Sequence, residues 1–192
     1  MKLKTPVIRS IIIISILVLS VLIGFVFSVV CGKIDQKKYP RPAGYSEYVE
    51  KYAEKYAVPE YIMYAVIKNE SNFDSGHKND DGGIGLMGVT FEEFDDMRQV
   101  TREDLTHDAL YGPETNIKYG ALKLSLLYNR FESWSFVCAA YTAGEKHEAW
   151  LEDEANFDED GKFAKVPDEV AVKNGEKLYS IAEKYAKMYY GE

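Results

Sequence analysis

The sequence predicts an all-α domain carried behind one N-terminal transmembrane helix. Three observations support this. Residues Ile11 to Val30 contain no charge and almost nothing polar. Apolar residues recur at three- and four-residue spacing through most of the remaining chain, as helices require. No segment alternates convincingly between apolar and polar residues, as a half-buried strand would.

The apolar run comes first. Its twenty residues, at helical rise, span about 30 Å, the thickness of a bilayer core. Lys2, Lys4 and Arg9 precede it; Lys33, Lys37, Lys38 and Arg41 come after it, so the positive-inside rule leaves its orientation open. A signal peptide has a shorter core and a small residue before its cleavage point. Ser28-Val29-Val30-Cys31 lacks that residue, so an uncleaved anchor over 1–31 is expected in preference to lipidation at Cys31. Residues 32–44, with Pro40, Pro42 and several charges, read as a short extended tether. Residues 45–192 then form one domain, long enough for a real core.

In that domain Tyr45, Tyr48, Val49, Tyr52 and Tyr56 mark a helix ending near Ala57. Pro59 can open the next, which runs to about Asn69 with Ile62, Met63, Val66 and Ile67 on one face. Ser75 to Gly85 is rich in Gly and Asp and reads as a loop. Thr90 with Glu93 forms a capping box for a short helix to Met97. Longer helices are expected from Pro113 or Glu114 through Phe131, from Trp134 to Thr142, and from Pro167 to Tyr190. Cys138 falls in an apolar stretch and reads as a small buried thiol.

The net charge of −8 argues against a nucleic-acid partner, since no basic patch could neutralise phosphates. Contact with a membrane must then come from the apolar helix. The fifteen tyrosines suit helix packing and sugar binding alike. The acidic stretch from Glu145 to Asp160 matches no calcium-loop spacing and reads as a solvated insertion. His77, His107 and His147 have no metal-ligand spacing and read as surface residues, so neither metal nor cofactor is expected.

Glu70 carries the chemical interest. It lies four positions after Val66 and eight after Ile62, which places it on the apolar face of its helix. Burial disfavours a charged carboxylate and raises its pKa, as a general acid near neutral pH needs. The Gly-rich loop beside it offers a path for substrate. The bland reading, a helix-end glutamate with its head in water, stands beside this one.

Four motifs then occur in order. Glu70-Ser71-Asn72-Phe73 resembles the E-S-x-F of soluble-type lytic transglycosylases, relatives of goose-type lysozyme. Gly85-Leu86-Met87-Gly88 stands where that family has G-L-M-Q. Asn116-Ile117 with Gly120 resembles its N-I-x-x-G, and Ala140-Tyr141-Thr142-Ala143-Gly144 its A-Y-N-A-G. The resemblance covers essentially everything after the tether. It implies a lysozyme-like helical domain acting on peptidoglycan glycan strands outside the cytoplasmic membrane, with other cell-envelope machinery as a candidate partner. It implies Glu70 as single acid/base and Tyr141 as the tyrosine that hydrogen-bonds it. Ser71, Asn79, Gly85, Met87, Gly88, Tyr141 and Thr142 become substrate-binding positions by the same correspondence, with Gly85 and Gly144 allowing close backbone approach.

Three residues depart from the pattern: Gly88 for glutamine, Asn79 for serine and Thr142 for asparagine. A glutamine at 88 is expected to raise activity if the backbone there accepts a side chain. Two other readings remain. Asp74, Asp80 or Asp81 could position a water and make the protein a hydrolytic muramidase, although Asp80-Asp81-Gly82 is a turn signal first. The departures also suit a wall-binding module without catalysis.

Overall fold

The chain divides into two compact units, Met1–Pro40 and Arg41–Glu192, and the computed structural model describes residues 5–191. The first unit is essentially one helix, α1 (Thr5–Lys38). The side chains from Ile12 to Val30 project from it on every side and are exposed. It is long and apolar enough to cross a membrane. Lys2 and Lys4 and the thiol of Cys31 lie outside what is described.

The tether expected over residues 32–44 is largely helical instead. The stretch Lys33–Lys38 holds no Gly or Pro, so nothing stops α1 there. Lys37 and Lys38 sit in its last turn, where cations complement the helix dipole. Pro40 and Pro42 interrupt the helix only locally, and the next one begins at Ala43.

The second unit contains α2 (Ala43–Tyr56), α3 (Glu60–Glu70), α4 (Phe91–Thr101), α5 (Pro113–Phe131), α6 (Trp134–Ala143), α7 (Glu148–Glu152) and α8 (Glu169–Tyr185). Extended pairing among the described residues is confined to isolated bridges, Lys78 with Ile84, Ile84 with Val89 and Phe157 with Phe163. The all-α expectation is therefore met. The helix starts at Pro59 and Pro113 fall within a residue of expectation, and the Thr90–Glu93 capping box forms in both directions. The last helix is shorter than expected: α8 stops at Tyr185 and a wider turn, Ala186–Tyr190, completes it.

Helix α3 is the centre of the fold. Six consecutive residues, Ile62 to Ile67, are buried, so the helix is covered on all sides rather than along one stripe. It packs on α8, which also packs on α6, while α2 lies along α5. Cys138 of α6 is buried and free, and desolvation pushes its thiol up to about 12. The ends of the domain meet at Arg41, whose guanidinium lies about 5 Å from the ring centres of Tyr64, Tyr189 and Tyr190. Arg41 also pairs with Glu60 at 3.0 Å, and Tyr190 donates to the same carboxylate at 2.6 Å.

The insertion from Glu145 to Asp160 departs from expectation. It contains α7 and buries His147, Trp150 and Asn156. The Asn156 amide donates to the Trp150 carbonyl at 2.9 Å, and Phe163 stands edge-on to Phe131 with ring centres 4.7 Å apart. This is a small second core with acidic side chains on its outside. His147 is thus an interior residue. His107 keeps the surface reading, with its ring partly exposed, stacked on Phe91 at 4.3 Å and with Nε2 2.9 Å from Asp95.

Candidate active site

Glu70 is the last residue of α3. Its Oε1 accepts from the Asn69 amide and its Oε2 from the Asn79 amide, each at 3.0 Å. Burial raises its carboxyl above the usual glutamate range; the two amides and the Lys123 ammonium pull the other way, and Asp81 adds to the rise. Burial dominates, so the group holds its proton to higher pH than an ordinary glutamate.

The loop after α3 is held by groups that leave little freedom. Asn72 and Phe73 turn the chain through left-handed backbone, φ 49° and 70°. The Ser71 hydroxyl lies 3.0 Å from the Ile67 carbonyl and 2.8 Å from that of Leu86, tying the helix end to the loop. Asn116, buried on α5, accepts from Met87 N at 2.7 Å and donates to the carbonyls of Ile84 and Leu110 at 2.9 and 3.0 Å. One turn later, Gly120 leaves room for Met87: a Cβ there would lie 2.4 Å from the methionine sulfur. Asn116 and Gly120, four apart, therefore face the same loop.

A cavity of about 270 Å³ opens over Glu70. Gly88, Thr90, Glu93, Lys123, Tyr141 and Thr142 line it, and Gly144, Asn174 and Lys177 close it toward α8. A second depression, about 560 Å³, shares Asn69, Glu70 and Asp81 with the first and extends past His77, Lys78 and Asn79. Glu70 therefore sits where two halves of a groove meet. Deep in the first half, Lys123 pairs with Glu93 at 2.5 Å, and its ammonium stands 4.0 Å from the centre of the Tyr141 ring. No group of three His, Cys, Asp or Glu side chains is gathered as for a metal among the described residues.

The profile of the transglycosylase SLT domain family matches residues 47–163. The chain belongs to that family. Among solved structures, its fold is similar to an inactive mutant of the lytic transglycosylase Slt from Pseudomonas aeruginosa. That match has 22% identity, covers 76% of this chain and 24% of that one, and has a TM-score of 0.62. The 70 kDa soluble lytic transglycosylase from Escherichia coli matches with 20% identity, 80% and 25% coverage, and a TM-score of 0.66. The 70 kDa soluble lytic transglycosylase in complex with bulgecin A matches with 22% identity, 79% and 25% coverage, and a TM-score of 0.65. This chain thus spans about a quarter of the length of those proteins. No curated protein sequence matches it.

For an SLT domain, the positions expected to bind substrate divide in an informative way. Gly88, Tyr141 and Thr142 line the cavity over Glu70, and Asn79 lines the adjoining half and bonds the acid. Ser71, Gly85 and Met87 do not line it. They are buried under the loop, because their work is to close it onto α3 and α5; a Cβ on Gly85 would lie 2.2 Å from the Asn116 amide.

Tyr141 also differs from expectation. Its hydroxyl donates to the Met87 carbonyl at 2.6 Å, so it fixes the loop that faces Glu70 instead of bonding the carboxylate. Burial raises this phenol well above its usual range, so it remains a donor. Gly88 answers the glutamine question. Its φ is +63°, and a Cβ there would lie 2.8 Å from Glu70 Oε2 and 3.0 Å from the Asn79 amide. A side chain there would be strained by the backbone and would have to displace the Glu70 carboxylate and the Asn79 amide.

Sequence reasoning misses the residues of the opposite wall: Glu93, Lys123, Asn174 and Lys177. Glu93 is visible in the sequence only as a capping residue. Lys123 interrupts an otherwise apolar helix face, and a lysine among core positions is the signal that could have found it.

Proposed function

We propose that this chain is a membrane-anchored peptidoglycan lytic transglycosylase that cuts glycan strands between N-acetylmuramic acid and N-acetylglucosamine, with Glu70 as its single acid/base. One observation carries the reading: a carboxyl raised by burial sits at the junction of two halves of an open groove, as an enzyme acting within a polymer requires. Glu70 protonates the glycosidic oxygen. The N-acetyl oxygen of the sugar itself stabilises the developing cation. The carboxylate then takes the proton of the muramic acid C6 hydroxyl as that oxygen attacks C1, closing a 1,6-anhydro ring without water.

The other carboxylate deep in the cavity supports a single-acid route. Glu93 is engaged by Lys123 at 2.5 Å and by the Thr90 amide at 3.1 Å, leaving little of it to act as base or nucleophile. Asp81, exposed at the rim beside Glu70, is the one observation that favours hydrolysis, since it could orient a water. Helix α1 is the anchor. An apolar surface exposed all round a helix suits lipid and not water, and the substrate places the domain outside the cytoplasmic membrane. The 1–31, 32–44 and 45–192 division belongs to this same reading, with the tether shortened to the residues between α1 and α2.

Mass spectrometry of fragments released by the full chain in detergent tests both points. Anhydro ends, lighter by one water than hydrolysed ends, and their absence with Glu70→Gln, are expected. Hydrolysed ends would move the assignment to a muramidase using Asp81. Binding without release would make it a wall-binding module.

A further inference from the structure

The Glu93–Lys123 pair has no structural necessity at its position. The capping box at the start of α4 needs only a side-chain acceptor at residue 93, which an uncharged glutamine would supply. Lysine is an uncommon occupant of a site this buried. Yet the two charges are brought together inside the cavity that holds Glu70, with the ammonium resting on the Tyr141 ring. Each is mostly shielded from water, with side-chain exposures of 10% and 17%, so their fields are weakly screened.

We propose that this ion pair sets the pH range over which Glu70 can act as an acid, with Glu93 as a positioning residue that neutralises Lys123. The inference rests on the assignment of Glu70 as the acid. The charged and titratable groups that share the groove with Glu70 are His77, Lys78, Asp80 and Asp81 of the loop, Glu93 of α4, Lys123 of α5 and Lys177 of α8, with the Tyr141 phenol from α6. Asp81 and Lys177 are exposed and screened. The pair is the more buried source: Lys123 pulls Glu70 toward its carboxylate, and Glu93 opposes that pull by holding the ammonium at 2.5 Å. Lysine alone would favour the carboxylate and discharge the acid early. Glutamate alone would favour the protonated form. Together they leave burial in control, which keeps Glu70 protonated where it has to donate.

The test is the pH profile of kcat/KM for strand cleavage by the full chain in detergent, which reports groups of the free enzyme. Glu93→Gln keeps the cap and the side-chain length but removes one charge. Its alkaline limb should move to lower pH. Lys123→Met keeps the apolar stem, and its limb should move to higher pH. The double variant should return toward wild type. Displacements in opposite directions that cancel in the double variant establish the proposal. Limbs that coincide in all four proteins, with changes only in melting temperature, overturn it and leave the pair structural. If Glu70→Gln proves as active as wild type, it is the assignment of the acid that fails, and that result is separate from either pattern of limbs.

Discussion

The two walls of the groove are built on different principles. The wall formed by the end of α3 and the loop to Gly88 is held by tight backbone contacts: Ser71 on two carbonyls, Asn116 on three backbone groups and Met87 against Gly120. The wall formed by α4, α5 and α8 presents charged and polar side chains, Glu93, Lys123, Asn174 and Lys177, to open space. The motif residues that flank the cavity belong to the first wall or to α6, with Gly144 just beyond its end. The difference teaches that the motifs mostly encode how the acid is held, while much of the surface that would meet substrate is encoded outside them.

Breaking the tight wall should give the largest effect. Asn116→Ala would leave Met87 N without its partner and remove a buried donor from the carbonyls of Leu110 and Ile84, the latter keeping Val89 N. The expected cost is about 3 kcal/mol or more, on the order of 6–12 °C in melting temperature. Calorimetry checks it, and a loss under about 1 kcal/mol would show that the loop does not depend on this clamp.

Next comes Gly88→Gln. Left-handed backbone costs a side chain about 1–2 kcal/mol, and the new Cβ would crowd Glu70 Oε2. Both stability and turnover should fall, contrary to what family resemblance alone suggests. A rise in turnover at unchanged melting temperature would refute the contact.

Asn79→Ala sharpens the comparison at the acid itself. It removes a donor that favours the carboxylate, so Glu70 should titrate at higher pH and the alkaline limb of activity should move up. The loss of rate at the optimum should stay within about tenfold. A limb that moves down would mean that this amide serves the neutral form.

The helical outline is readable in the sequence because Pro59, Pro113 and the Thr90–Glu93 box act locally, within a turn or two of chain. Glu70 is readable from its spacing behind Val66 and Ile62. The extent of α1 is not, since Pro40 and Pro42 suggest a tether while the helix-tolerant stretch Lys33–Lys38 before them decides the matter. Nor is the insertion: its acidic side chains dominate the composition, but His147, Trp150 and Phe163 find Phe131 only through tertiary contact. The roles of Met87 and Tyr141 are hidden for the same reason, because only the folded loop shows that one fills the space left by Gly120 and the other caps a carbonyl.

That second core gives the smallest expected effect. Burial lowers the pKa of His147 below its ordinary 6.5, against the opposing pull of the Gly144 carbonyl and Glu148. The unfolded chain therefore takes up this proton first as pH falls. The stabilisation is fully present above 6.5 and is lost as pH drops through the lower folded value. Denaturant titrations across this window should show the decline, and His147→Gln should flatten it. A decline unchanged by the substitution would place its origin elsewhere.

The central claim is that Glu70 carries the chemistry, and one variant tests it most directly. Glu70→Gln preserves shape and an acceptor for Asn79 but has no acidic proton to give. Turnover of peptidoglycan by the full chain should fall by about 10²–10⁴-fold, the contribution of a general acid, with melting temperature essentially retained. Turnover within about tenfold of wild type, a barrier change under ~1.4 kcal/mol, would contradict the account.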